Sequence, residues 1–66
     1  MNAEASPLRT IVVEDEPLVR LMTEDILGTI GCAVVATASS LAEALKHIAA
    51  TEFDLAVLDI NLAGTE

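Results

Sequence analysis

The chain has 66 residues, 53% of them hydrophobic, with 11 acids against 3 bases and a formal net charge of -8. Arg9, Arg20 and Lys46 are scattered, so the basic footprint that nucleic-acid binding requires is missing, and the same charge argues against anionic membrane surfaces. A domain of this size hides only about 60% of the surface that its unfolded chain exposes, so its stability is marginal.

No apolar run is long enough for a transmembrane helix. The start, Met1 to Arg9, lacks the apolar segment of a signal peptide. A single cysteine, Cys32, rules out an intramolecular disulfide. Together these favour a reducing, cytoplasmic location. Phe53 is the sole aromatic residue, which leaves Leu, Ile, Val and Ala to build the core.

Residues 1–9 read as a flexible lead-in, and residues 10–66 as the folded part. Thr10-Ile11-Val12-Val13-Glu14 is a β-branched run without alternation, the pattern of a strand buried on both faces of a parallel sheet. It ends in three acids, Glu14-Asp15-Glu16, and Pro17 follows in the first position of a helix. Leu18, Leu21, Met22, Ile26 and Ile30 recur at helical spacing and mark the expected buried stripe, with Arg20, Thr23 and Glu24 off it. Gly31 is the expected helix stop.

Cys32 to Ala38 forms a second apolar run, with Cys32 serving as a small hydrophobe. Ser40-Leu41-Ala42-Glu43 reads as a capping box that opens a second helix. Leu41, Leu45, Ile48 and Ala49 mark its expected buried side, and His47 reads as a solvated surface residue. Phe53 to Leu58 is the third apolar run, ending in Asp59, and Leu55 to Leu58 reads as a central strand buried on both faces. Asp54, just before it, reads as a cap or turn residue. The order strand, helix, strand, helix, strand predicts an α/β fold with parallel strands and right-handed crossovers. The chain stops just past the third strand, so the expectation is a βαβαβ domain truncated there.

Parallel strands bring their C-terminal ends to one edge, where open α/β sheets bind ligands. Glu14 and Asp15 end the first strand and Asp59 ends the third. If these strands are neighbours, three carboxylates converge. Two such charges about 5 Å apart repel by roughly 3 kcal/mol at an effective dielectric of 20. Either a proton is retained or a cation enters, and a hard divalent ion such as Mg2+ suits oxygen ligands. A carboxylate so placed can also attack a phosphoryl group. Acids at strand ends also serve as ordinary caps, which is the competing structural reading.

The run Ile11 to Pro17 resembles the acidic opening of response regulator receiver domains, and the run Asp54 to Leu62 resembles their phosphorylation segment. The resemblance covers nearly the whole chain from Thr10, and it implies a parallel sheet of the flavodoxin-like type with the first strand between the second and third. It further implies that Asp59 accepts phosphate from a phosphohistidine on a sensor histidine kinase or a histidine phosphotransfer protein. Asp15 would bind Mg2+ directly, Glu14 mainly through water, and Asn61 through its backbone carbonyl. The resemblance implies a signalling receiver rather than an enzyme, limited to self-phosphorylation and dephosphorylation that this fragment would perform poorly.

The chain departs from the family pattern in two ways. Ala63 stands where the family often has proline, so Asn61-Leu62-Ala63-Gly64 is closer to a subset of stand-alone receivers. The family's fourth-strand Ser/Thr and fifth-strand Lys have no counterpart here. Two other readings compete: a receiver-like interaction module that is never phosphorylated, and a fragment of an aspartate-nucleophile phosphatase-like fold, suggested by Asp59-Ile60-Asn61. An uncovered third strand also predicts self-association through its free edge.

Overall fold

The computed structural model describes residues 7–59, and within them every apolar run becomes an element of regular structure. The elements are β1 (Leu8–Glu14), α1 (Pro17–Thr29), β2 (Cys32–Ala38), α2 (Leu41–Ala50) and β3 (Leu55–Asp59). All strand pairings are parallel, and the sheet order is β2-β1-β3. The fold is α/β, as the alternation of periodicities requires. The chain steps out from β1 to β2 and then back across β1 to β3. With right-handed crossovers, those opposite steps put α1 and α2 on opposite faces of the sheet. The two helices accordingly make no contact with each other among the described residues.

β1 is central, and its sequence explains its burial. Thr10, Ile11, Val12, Val13 and Glu14 are all buried. Ile11 and Val13 share one face with Ala36, Ala38, Ala44 and Phe53, so this is the face under α2. Thr10, Val12 and Glu14 take the alternate face, toward α1. Burial of each large aliphatic side chain here contributes roughly 1.5–3 kcal/mol. The β1–β2 ladder contains one irregularity: Thr10 pairs with Val34 and Ile11 with Ala36, which leaves Val35 as an extra residue in β2.

Local signals act where the sequence puts them. Pro17 opens α1, whose N-cap residue Glu16 is extended. Gly31 ends it at φ 99°, a left-handed conformation that a side chain resists, and its N–H donates to the Gly28 carbonyl at 3.2 Å. At α2, the Ser40 hydroxyl accepts from the Glu43 N–H at 3.2 Å. The reciprocal half of the capping box is shifted by one residue. The Glu43 carboxylate accepts from the N–H of Ser39 at 2.7 Å and from its hydroxyl at 3.0 Å, not from Ser40. These bonds hold the Glu43 carboxyl below its usual range, the Ser39 N–H having the largest effect and the hydroxyl the next.

Four expectations require correction. First, β1 begins at Leu8, so Leu8 and Arg9 belong to the sheet rather than to a lead-in. Asp54 anchors this extension. Its N–H donates to the Arg9 carbonyl at 2.7 Å, and its carboxylate accepts from the Arg9 N–H at 2.8 Å and from the guanidinium at 3.3 Å. Glu52 adds an ion pair to Arg9 at 3.0 Å.

Second, the helix faces are turned. In α1, Leu27 is buried and Val19, Arg20, Thr23 and Glu24 are half-buried, whereas Leu18, Leu21, Met22, Ile26 and Ile30 are exposed. In α2, Ala44 is buried and His47 half-buried, whereas Leu41, Leu45, Ile48 and Ala49 are exposed. Apolar residues cover a wider arc of each helix than the narrow sheet beneath it, and the small Ala44 admits the closest approach. Third, His47 is accordingly not freely solvated. Fourth, β3 is not buried on both faces: Leu55 and Leu58 are exposed, while its pairing with β1 alone among the described strands agrees with the free edge expected of it. Cys32 is half-buried at the start of β2, as its apolar context suggested.

Candidate functional site

The three parallel strands deliver their C-terminal residues to one edge. β1 ends at Glu14 and β3 at Asp59, and the two are register partners. Adjacency of the two strands, which the convergence argument required, is therefore present. Asp15 follows Glu14 directly, and Asp15 and Glu16 alone separate β1 from α1.

The acids differ in setting. Asp15 and Asp59 are exposed. Glu14 is only 3% exposed, although it is a carboxylic acid. One of its oxygens, Oε2, accepts from the Glu16 N–H at 3.0 Å. The other, Oε1, is buried with no hydrogen-bond partner among the described residues. The Glu16 N–H favours the charged carboxylate, but it is outweighed by burial and by the Asp15 and Asp59 carboxylates. The Glu14 pKa is therefore raised above its ordinary value. A buried acceptor without a donor is rare in folded proteins and calls for a proton or a cation.

Arg20 is a basic residue at this edge. Its Nη1 donates to the Glu14 carbonyl at 3.1 Å, and its N–H donates to the Glu16 carbonyl at 2.9 Å. It also lines a cleft of about 100 Å³ with Thr37, Ala38, Ser39 and Glu43. The sequence reading placed Arg20 off the buried stripe and gave it no role. Its position in the first turns of α1, six residues beyond Glu14, was the available signal. Arg9 lies at the opposite edge of the sheet, at the start of β1.

Of the residues singled out from the sequence, Glu14, Asp15 and Asp59 come to the same edge. Asn61 lies outside the described residues. Among the described residues, no three His, Cys, Asp or Glu side chains stand in a group set to hold a metal ion. The donors nevertheless suit a hard cation: all are carboxylate oxygens, and one is buried and unsatisfied.

A family model described as the response regulator receiver domain matches residues 10–66 of the chain. The chain belongs to the response regulator receiver family. No curated protein and no solved structure gave a match. The β-α-β-α-β order and three-stranded parallel sheet of this receiver are consistent with the flavodoxin-like receiver fold. Membership makes the chain a signalling module of two-component phosphorelays. Receiver domains generally bind Mg2+ and interact with histidine kinases or phosphotransfer proteins. Among the described residues, no helix of this receiver is long and apolar enough to cross a membrane.

Proposed function

We propose that the chain is a phosphoacceptor, with Asp59 taking a phosphoryl group from a phosphohistidine on a sensor histidine kinase or histidine phosphotransfer protein. The observation that carries this reading is the register pairing of Asp59 with Glu14, whose buried Oε1 lacks a partner among the described residues. In the reaction an Asp59 oxygen forms a bond to phosphorus while the phosphorus–nitrogen bond of the donor breaks. The electron pair stays on the imidazole nitrogen, which gains a proton from solvent. Asp15 and Asp59 would hold Mg2+ directly, Glu14 mainly through water, and Asn61 by its backbone carbonyl. When bound, the cation neutralises charge on the transferring phosphoryl oxygens.

The cytoplasm suits this role, since a histidine-borne phosphoryl group is supplied there and Cys32 requires no oxidant. The exposed Leu55 and Leu58 of β3 also favour self-association of the chain along that strand. The test is incubation with acetyl phosphate and MgCl2, read by intact mass. The expected result is a phosphoryl adduct that EDTA suppresses and Asp59→Asn abolishes. An unlabelled chain would favour a receiver-like module that binds partners without phosphorylation. Release of free phosphate from a phosphomonoester would favour the phosphatase-like reading.

A further inference from the structure

We propose that Arg20 is a positioning residue: its guanidinium locks the corner from Glu14 to Glu16 and so fixes where the Glu14 and Asp15 carboxylates stand. This inference rests on the divalent-cation reading above. Three bonds close the corner. The Glu14 side chain takes the Glu16 N–H at 3.0 Å. The Arg20 side chain donates to the Glu14 carbonyl at 3.1 Å. The Arg20 N–H donates to the Glu16 carbonyl at 2.9 Å. Asp15 lies at the middle of this ring, exposed, with both of its neighbours tied. The direction in which its Cα–Cβ bond leaves the backbone is thus constrained by bonds on either side of it.

The Arg20 bond has a special place among the three. The Arg20 N–H bond is ordinary helix structure and would survive most substitutions. The Glu14 to Glu16 bond uses a carboxylate that burial and neighbouring acids disfavour. The guanidinium bond is the one that ties the body of α1 to the end of β1. A charged donor on a carbonyl makes a stronger bond than a neutral one. The guanidinium also lies close to the second corner of the sheet edge. Arg20 is half-buried, and its cleft includes the β2 residues Thr37 and Ala38, the turn residue Ser39 and Glu43 of α2. The Glu43 carboxylate is fixed by its two bonds from Ser39. Arg20 therefore bonds to the β1–α1 corner and lines a cleft shared with the β2–α2 corner, with the Glu43 carboxylate near enough to feel its charge.

A cation beside a cation site has two opposite consequences, and their signs separate them. If Arg20 acts by its charge alone, it repels Mg2+, and its removal tightens binding. If it positions the carboxylates, its removal weakens binding. Loss of a partner that orients metal ligands typically costs about 10–100-fold in affinity. The expected change for Arg20→Gln is a weakening of about tenfold.

The experiment uses the 66-residue chain, with amide exchange followed by NMR in EDTA and then an MgCl2 titration followed on the same amides. Arg20→Gln is expected to speed exchange of the Glu16 amide while Ile11 to Val13 keep their protection, and to weaken Mg2+ binding about tenfold. Arg20→Lys retains the charge and is expected to recover only part of the affinity. Arg9→Gln, at the opposite edge, is expected to leave it unchanged. Unaltered Glu16 exchange in Arg20→Gln would overturn the proposal, and so would Mg2+ affinity that stays the same or rises. A wild-type chain that gives no Mg2+ response would remove the metal reading by itself, and the exchange data would then judge the corner alone. Should Arg20→Gln lose the core protection, Arg20→Lys decides. Faster Glu16 exchange over an intact core supports the lock, and wild-type exchange overturns it.

Discussion

Glu14 and Asp59 stand opposite each other in the β1–β3 ladder, and the Oε1 of Glu14 is buried without a partner among the described residues. A buried carboxyl of the receiver thus sits beside its candidate phosphoacceptor. Strand parity sends Glu14 into the α1 side of the sheet, where Val12 and Thr10 are also buried. The structure tolerates an acid there because the Glu16 N–H serves one of its oxygens.

Replacing this acid by its neutral isostere is expected to stabilise the apo chain. Glu14→Gln keeps an oxygen for the Glu16 N–H and removes the charge that burial and two neighbouring acids disfavour. In EDTA its thermal midpoint is expected to lie above that of wild type. On adding MgCl2 the wild type is expected to gain more than the variant, because one charge of the edge is lost. Thermal scans of both proteins with and without Mg2+ check both statements. A lower midpoint for Glu14→Gln in EDTA would contradict the electrostatic account.

At the other edge the sign is reversed. The Arg9 guanidinium, and next the Arg9 N–H, hold the Asp54 carboxyl below its usual value. The folded state therefore favours the charged form. Its contribution is present above the unfolded pKa of about 3.9 and disappears as pH falls through the lower folded value. Asp54→Asn is expected to be less stable than wild type near neutrality and to converge on it in acid. Urea midpoints for both proteins across that range measure the convergence, and parallel pH profiles would show that Asp54 adds nothing. The ion pairs are exposed, so the neutral-pH difference is expected to be small.

The two glycines near the end of α1 are expected to respond in opposite directions. Gly31 has φ 99° with open space around a would-be Cβ, so Gly31→Ala suffers from backbone conformation alone. The expected loss is roughly 1–2 kcal/mol. Gly28 lies inside α1, again with open space, and Gly28→Ala is expected to add roughly 0.5–1 kcal/mol. Chemical denaturation of the two variants gives both values. Equal signs would mean that the helix ends elsewhere in solution.

Self-association through β3 predicts a response to charge at its exposed positions. Leu58 is 60% exposed and stands one residue before Asp59. Leu58→Lys places a charge on the apolar surface of the strand, a usual protection of open edges. At about 0.1 M salt, where repulsion from the net charge of -8 is screened beyond roughly 10 Å, wild type is expected to show a larger mass by light scattering than the variant. Identical masses would place any association elsewhere, with the exposed stripe of α1 as the next surface to alter.

The strands were legible from sequence because a parallel sheet needs unbroken apolar runs, and Ile11 to Val13 and Ala56 to Leu58 supply them. The pairing of Glu14 with Asp59 was legible because both acids end such runs. The helix faces were not. In α1 the apolar residues Leu18, Leu21, Met22 and Ile26 outnumber those on the inner face, and periodicity reports an arc without saying which side meets the sheet. The Arg9–Asp54 contact was hidden for another reason: its partners lie 45 residues apart and meet only because β1 and β3 are neighbours.

The extra residue in β2 has a consequence for how this chain can change. Up to Val34 the even residues of β2 lie on the α1 side. Beyond Val35 the alternation is reset, so Ala36 and Ala38 fall beneath α2 and Thr37 faces the Arg20 cleft. Deleting Val35 would leave Val34 followed directly by Ala36, so the ladder would run without a break and Ala36, Thr37 and Ala38 would keep their faces. A one-residue gap at this point of β2 is therefore absorbed by loss of the bulge, whereas a gap in a strand with no bulge to absorb it exchanges the inner and outer surfaces beyond it.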